Sequence, residues 1–447
     1  MSRIAILVPE LAGHLLPAGN LGGELQRRGH EVTVVARGNA ASLVHQLDLP
    51  LRELSDEGLP NQRVSRLRWF FAQLLRKGWI VRIEKGLCWK AEQVLRQAPD
   101  ILRELRTECV LVDQDVLAGG TVAERLKLPY VTLSSALLWN EEPGMPPHYM
   151  GWLPRRGIIG KLRNHIGYAA WQTHLRPPLE VINRYRRSWQ LPPLRRFGDT
   201  LSSYAQLSQM CVELDFLRHR LSPCCHYIGS LAATRPNTVD FPWQKLDGRP
   251  LIYVSLGTMP GSENISAYRK IAVACAGIEA QLVLGLGKWR PQSGTVADEL
   301  GQLPGDPILV GFAPQLALLD RASLLIGHAG LNSVLEALIH GVPMLLLPRF
   351  ADQPGMAARV VHAGAGLRAS YTKFTAEQLR PMVQRLLGDN KFRQRATALG
   401  RALMAAGGAI RAADIVEQVL ETGLPVTRDA FSTMTAPEGS EFVIAAK

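Results

Sequence analysis

The chain has 447 residues, nearly half of them apolar, and a formal charge of +12; one hydrophobic core stops growing well short of that length, so two domains of roughly 200 residues are expected. Its six cysteines (Cys88, Cys109, Cys211, Cys224, Cys225 and Cys275) show no CxxC pair and no regular spacing, which argues against a zinc site or a disulfide framework and fits a reducing cytoplasm. The amino terminus runs straight into a strand with no leader pattern, and no run approaches the roughly 18 apolar residues of a membrane span, so any membrane contact is expected at the surface.

Ile4 to Val8 is a continuous apolar run of the kind a buried parallel strand shows. A loop with Gly13 and His14, a helix ended by Gly29 and a second strand, Glu31 to Ala36, follow. Gly13 and His14 are thereby expected at the carboxyl end of the first strand, the edge where open α/β sheets bind ligands. An imidazole there suits proton transfer, because its pKa lies close to working pH. Residues 66–90 and 151–200 alternate Trp, Leu and Ile with Arg and Lys, and the second of these holds ten Lys/Arg against two acids. Such segments suit helices lying on anionic lipid, or ordinary amphipathic helices with a solvated basic face. Nucleic-acid binding is disfavoured, since no recognition motif accompanies the charge.

Cys109 to Val112 reads as another strand, with Asp113 at its end and Asp115 two residues on. Either acid could orient a base, or cap a helix expected over Val116 to Leu126. Residues 231–249, rich in proline and polar side chains, break the hydrophobic period and are read as the interdomain linker. LIYVSLGTM then opens a second sheet whose first strand ends at Gly257 and Thr258, and residues 281–289 and 307–311 supply further strands.

The densest signal is FAPQLALLDRASLLIGHAGLNSVLEALIHGVPMLLLPRFADQ, residues 312–353. It reads as a strand (Ser323 to Ile326), a loop bracketed by Gly327 and Gly330, a helix opening at Leu331 to Ser333, a strand (Met344 to Leu347) and a loop with Asp352 and Gln353. Gly327 and Gly330 permit close backbone approach. Asn332 and Ser333 sit in the first helical turn, where unpaired N–H groups and the dipole favour a phosphate. His328 can donate to a phosphate oxygen, and Glu336, one turn beyond Asn332 on the same face, can accept from ribose hydroxyls. A helix is expected at 411–421, and the last 25 residues lack any period and read as a mobile tail.

FAPQ, HAGLNSVLEAL, GVPMLLLP and DQ, in that order and spacing, resemble the nucleotide-sugar signature of family 1 glycosyltransferases, the UDP-glycosyltransferase superfamily. The resemblance implies a GT-B fold: two Rossmann-like α/β domains whose parallel sheets face a central cleft. Residues 1–230 would bind the acceptor and 250–408 the nucleotide sugar, with 409–422 crossing back to the first domain and 423–447 forming the tail. GHLLP resembles the family's base motif and implies His14 as general base. Asp113 lies sixteen residues before Pro129, as the family's orienting acid does, with Asp115 as the fallback. Gly257, Thr258, His328, Gly330, Asn332 and Ser333 would face the donor diphosphate. Phe312 would stack on uracil, Gln315 and Glu336 would hold base and ribose, and Asp352 and Gln353 would hold the sugar. Leu331 and Met356 depart from the pattern of plant members.

SSALLWNEEPGMPPHYMGW, LSQMCVELDFLRHRLSPCCHYIGSL, LGTMPG and AAGGAIRAADIVEQVL further resemble stretches of bacterial zeaxanthin glucosyltransferases. This likeness implies inverting transfer from UDP-glucose to a hydroxyl of a lipophilic acceptor such as a carotenoid, without a metal or other cofactor. It is expected to run in the cytoplasm, peripherally at the inner face of the membrane.

Overall fold

The computed structural model describes residues 1–55, 78–231, 239–257, 263–287 and 300–428. Two wholly parallel sheets organise the chain. The first runs β3-β2-β1-β4-β5-β6-β7, with β1 at Arg3–Leu7, β2 at Glu31–Arg37, β3 at Leu51–Leu54, β4 at Cys109–Asp113, β5 at Tyr130–Ser134, β6 at Ala205–Ser208 and β7 at Cys225–Tyr227. The second runs β10-β9-β8-β11-β12-β13, with β8 at Leu251–Ser255, β9 at Gln281–Gly285, β10 at Ile308–Val310, β11 at Ala322–Gly327, β12 at Met344–Leu346 and β13 at Gly366–Arg368. The architecture is the two-domain α/β arrangement that the resemblance implies.

Both sheets are covered on both faces, which is why their strands read as unbroken apolar runs rather than alternating ones. On one face of the first sheet, Leu21 and Leu25 of the helix Ala12–Arg27 pack with Val416 and Val419 of the helix Gly408–Thr422. The other face carries Leu95 of the helix Gly78–Glu104, Val122 of Gly119–Leu126 and Ile182 of Gly157–Ser188. The second sheet lies between Leu331–Ile339 with Asn390–Ala405 on one side and Glu263–Cys275 with Ala376–Gly388 on the other.

In each sheet the strand order reverses beside its first strand, and that reversal opens a crevice at the carboxyl ends. β1 has β2 on one side and β4 on the other; β8 has β9 and β11. The two crevices face each other.

The last long helix leaves the second domain through Gly407, whose φ of +95° lies in the left-handed region that glycine adopts without steric cost. It then docks on the first domain. Arg28 Nη1 lies 2.7 Å from Asp414 Oδ1 and 2.6 Å from Glu417 Oε2, and His30 Nε2 lies 3.0 Å from Glu417 Oε1.

Three expectations need adjustment. The tail does not begin at 423: Val426 is buried, its N–H donates to Tyr204 O at 2.9 Å, and Arg428 Nη1 donates to Cys225 O at 2.7 Å. The first contact satisfies a carbonyl just before β6 and the second one in the edge strand β7, which would otherwise stand open; residues 429–447 lie outside the described residues. Of the basic segment 66–90, residues 66–77 also lie outside them, and from Glu84 onward it turns Cys88 inward as a core helix. Of the linker 231–249, residues 232–238 lie outside, while Phe241 is already part of the second domain's core. Among the described residues no helix is long and apolar enough to cross a membrane.

Candidate active site

His14 stands in the first turn of the helix Ala12–Arg27 rather than in a loop, because only residues 8–11 separate the end of β1 at Leu7 from the helix and Leu11 O already accepts its N–H at 2.9 Å. Its Nδ1 lies 3.0 Å from both carboxylate oxygens of Asp113, whose side chain is fully buried at the end of β4. Asp113 Oδ1 also accepts the N–H of Asp115 at 2.9 Å. A carboxylate can only accept, so Nδ1 carries the proton and Nε2 is left to face the cleft. Asp113 caps no helix here, since the expected helix at Val116 begins at Gly119 instead.

Asp115 has a different part: its Oδ2 lies 3.6 Å from His14 Nε2. The ring therefore has a carboxylate on each nitrogen, and Asp352 adds a third negative group from the other domain. Burial alone would push the imidazole's pKa down. Asp113 and then Asp115, with Asp352 behind them, outweigh burial and raise it from 6.5 to about 9. Burial in turn pushes the Asp115 carboxyl above the ordinary carboxylate range. A histidine raised in the fold stabilises it fully below pH 6.5 and loses that contribution as pH rises through about 9. An NMR titration of His14 should thus give a midpoint near 9, moved toward neutrality in Asp115→Asn. An unchanged midpoint in that variant would show that Asp115 does not act on the ring.

The opposite wall comes from the second sheet. Gly257, with φ of +92°, follows β8, and the loop from Gly327 to Gly330 follows β11. Between them lies His328; a Cβ at Gly330 would sit 2.5 Å from its Nε2, and one at Gly257 3.1 Å. Those glycines leave the ring its space. His328 Nδ1 lies 3.4 Å from Ser255 O. Burial lowers its pKa, the Ser255 carbonyl partly offsets this, and Arg349 lowers it further, so the ring is neutral. With its proton turned to a carbonyl, Nε2 accepts rather than donates, and it could donate to a phosphate only after protonation.

Other residues of the signature are held in a network. Gln315 Nε2 donates to Ser333 Oγ at 3.2 Å and to Glu336, which is buried. Asn332 Nδ2 donates to Gly13 O at 2.8 Å, tying the second domain's loop to the helix that carries His14. Asp352 begins the helix Gln353–His362, and its Oδ2 accepts the N–H of Leu137 from the first domain at 3.1 Å. Gln353 is buried, with Oε1 accepting the N–H of Arg349 at 2.9 Å, so it braces its own loop. Met356 is sealed in the second core, so its departure from the plant pattern leaves the cleft wall unaltered, whereas Leu331 lines the cleft.

A cavity of about 250 Å³ joins these parts. It is lined by Gly13 and His14 from one domain and by Gly257, Phe312, Gln315, His328, Gly330, Leu331, Asn332, Ser333 and Asp352 from the other. Phe312 is half exposed at its mouth. Glu336 and Gln353 stand outside this lining, and Thr258 lies outside the described residues. Sequence reading missed Ser135 and Ala136, which line the cavity from the loop after β5. It also missed the bond from Asn332 to Gly13, because no local pattern connects positions 319 residues apart.

Residues 197–403 match the family described as UDP-glucoronosyl and UDP-glucosyl transferase. Zeaxanthin glucosyltransferase of Pantoea ananas is 32% identical over 95% of this chain and 98% of its own length. Zeaxanthin glucosyltransferase of Pseudescherichia vulneris is 33% identical over 94% of this chain and 98% of its own. Among solved structures, the glycotransferase of kitacinnamycin superposes with a TM-score of 0.72 at 23% identity, covering 93% of this chain and 98% of that one. With its two facing sheets and a cleft built from both, the chain belongs to the UDP-glucuronosyl and UDP-glucosyl transferase family, as a glycosyltransferase of GT-B fold.

Proposed function

We propose that the protein transfers glucose from UDP-glucose, with inversion, to a hydroxyl of a lipophilic acceptor, most closely a carotenoid such as zeaxanthin. The observation that carries the reading is His14, with Nδ1 held by Asp113 and Nε2 turned to a cavity shared with the Gly327–Gly330 loop. The two relatives named above act, by their names, on zeaxanthin, and this supports the donor and acceptor classes.

In this scheme His14 takes the proton from the acceptor hydroxyl, and the oxygen attacks the anomeric carbon from the face opposite the nucleotide. Such a base contributes about 10²–10⁴-fold to rate. Asp113 keeps the reactive tautomer and stabilises the imidazolium that forms. The departing diphosphate gathers charge at Gly257, Thr258, Gly330, Asn332, Ser333 and the N-terminus of the helix Leu331–Ile339, with His328 joining as a donor once protonated. Phe312 stacks on the base, Gln315 holds base and ribose with Glu336 orienting its amide from behind, and Asp352 holds the sugar by exchanging its bond to Leu137 N for sugar hydroxyls, with Gln353 bracing the loop beside it. No metal or other cofactor enters the scheme, and no nucleic acid. The reaction is placed in the cytoplasm.

The test is product analysis by mass spectrometry after incubating the purified chain with UDP-glucose and zeaxanthin in detergent, with EDTA present. The expected result is a product heavier by one or two hexoses. Calorimetric binding of UDP-glucose without any product would sink the acceptor assignment, and a product that forms only when EDTA is omitted would sink the metal-free scheme.

A further inference from the structure

The helix Gly157–Ser188 changes character along its length. From Leu175 onward it is a core helix, with Leu175, Leu179 and Ile182 packed on the first sheet's domain. Before that point it meets the domain through Gly160, Asn164, Gly167 and Tyr168, a stripe at helical spacing made mostly of small residues. The opposite face carries Ile158 (84% exposed), Ile159 (64%), Leu162 (58%) and Ile166 (60%), with Leu153 (42%) just before the helix. Single exposed apolar side chains need no account. Four large aliphatic ones within three turns form a patch, and contiguous patches on a soluble face mark contact surfaces.

The patch has a charged border of one sign. Residues 151–179 contain Arg155, Arg156, Lys161, Arg163 and Arg176 and no Asp or Glu. Arg155, Arg156 and Lys161 are exposed, and Arg163 is laid over Trp152, 4.8 Å from its ring centroid. An aliphatic stripe bordered by cations is the pattern of a helix lying in the plane of an anionic bilayer. A second copy of the chain fits less well, because an isologous contact would set the same cations against each other.

We propose that Leu153, Ile158, Ile159, Leu162 and Ile166, bordered by Arg155, Arg156 and Lys161, form the face on which this protein docks to an anionic lipid surface. The loop leading to it starts at the cleft, where Leu137 N donates to Asp352, and is fixed to the second domain where Gly151 O accepts Arg368 Nη1 at 2.6 Å. Docking there would set the headgroup plane beside the cleft, so that a lipophilic acceptor need not cross water. Only this last consequence rests on the proposed acceptor class; the docking itself is read without turnover.

The experiment is flotation of the full chain with phosphatidylcholine vesicles prepared with and without phosphatidylglycerol. The chain should float with the anionic vesicles and be released as salt screens the cationic border. A variant combining Ile158→Ser, Leu162→Ser and Ile166→Ser should lose about tenfold or more in partitioning, while its melting temperature and its turnover of detergent-dispersed acceptor stay unchanged. Charge reversal at Arg155, Arg156 and Lys161 should abolish the preference for anionic vesicles. Failure of the native chain to float with either composition would overturn the proposal. So would a native dimer that the triple serine variant converts to a monomer without altering vesicle binding.

Discussion

Replacing His14 with alanine should lower turnover by about 10²–10⁴-fold, the range general-base catalysis supplies, with only a few-fold change in the affinity for UDP-glucose. The two effects should separate because His14 stands on the first domain, while the groups proposed to face the diphosphate stand on the second. Removing the ring also removes a cation that faces Asp113, Asp115 and Asp352. A His14→Gln variant, closer in volume and equally unable to serve as the base, separates loss of the base from loss of space. The base acts only when deprotonated, so kcat/KM of the native enzyme should rise with pH and level off above about 9. A loss under tenfold in His14→Ala, or a rate already level at pH 7, would remove the base assignment.

The loop and helix proposed to face the donor could be placed from sequence because their pattern is local. Gly327, Gly330, Asn332, Ser333 and the helix they open follow one another in the chain, and a loop between an apolar strand and a helix N-terminus at a sheet edge suits an anion. The strands were legible for a related reason: a sheet buried on both faces requires unbroken apolar runs, as Ile4 to Leu7 and Leu324 to Ile326 show. Asp113 and Asp115 were not separable by spacing, because what distinguishes them is direction. One meets Nδ1 from the strand end and the other meets Nε2 from the turn. The partners of Gln353 and Glu336 were equally hidden, since a side chain that braces its own loop or network has the same one-letter code as one that faces a ligand. The two basic aromatic segments read alike in sequence and proved different, one described part being core and the other an exposed stripe. Periodicity marks a face without saying what covers it.

Replacing Asp215 with alanine should cost about 3–5 kcal/mol of stability, the range for breaking a buried ion pair from one side. The carboxylate lies in the first domain just after β6, and both its oxygens are engaged. Oδ1 accepts from Arg359 Nε at 2.6 Å and from Phe216 N at 2.8 Å, while Oδ2 accepts from Arg218 Nε and Tyr227 Oη, each at 2.7 Å. Arg359 belongs to the second domain and is buried, its guanidinium 4.5 Å from the Phe216 ring centroid. One acid thus neutralises two guanidiniums, one from each domain, and its loss strands both away from water. Burial would raise the Asp215 pKa, but Arg359 and then Arg218 hold it well below the ordinary 3.8. A carboxyl lowered in the fold contributes stability above its ordinary pKa and loses it as pH falls toward the folded value. The cost of Asp215→Ala, read by urea unfolding, should therefore be full at pH 7 and shrink under strong acid. Joining Arg359→Met to Asp215→Ala should recover part of the loss, because one of the two stranded charges goes with it. Arg359 shares its helix with Asp352 at the cleft end, so the single variant should also raise KM for UDP-glucose. A cost below about 1 kcal/mol would mean that solvent reaches this seam between the domains and screens it as it does a surface pair.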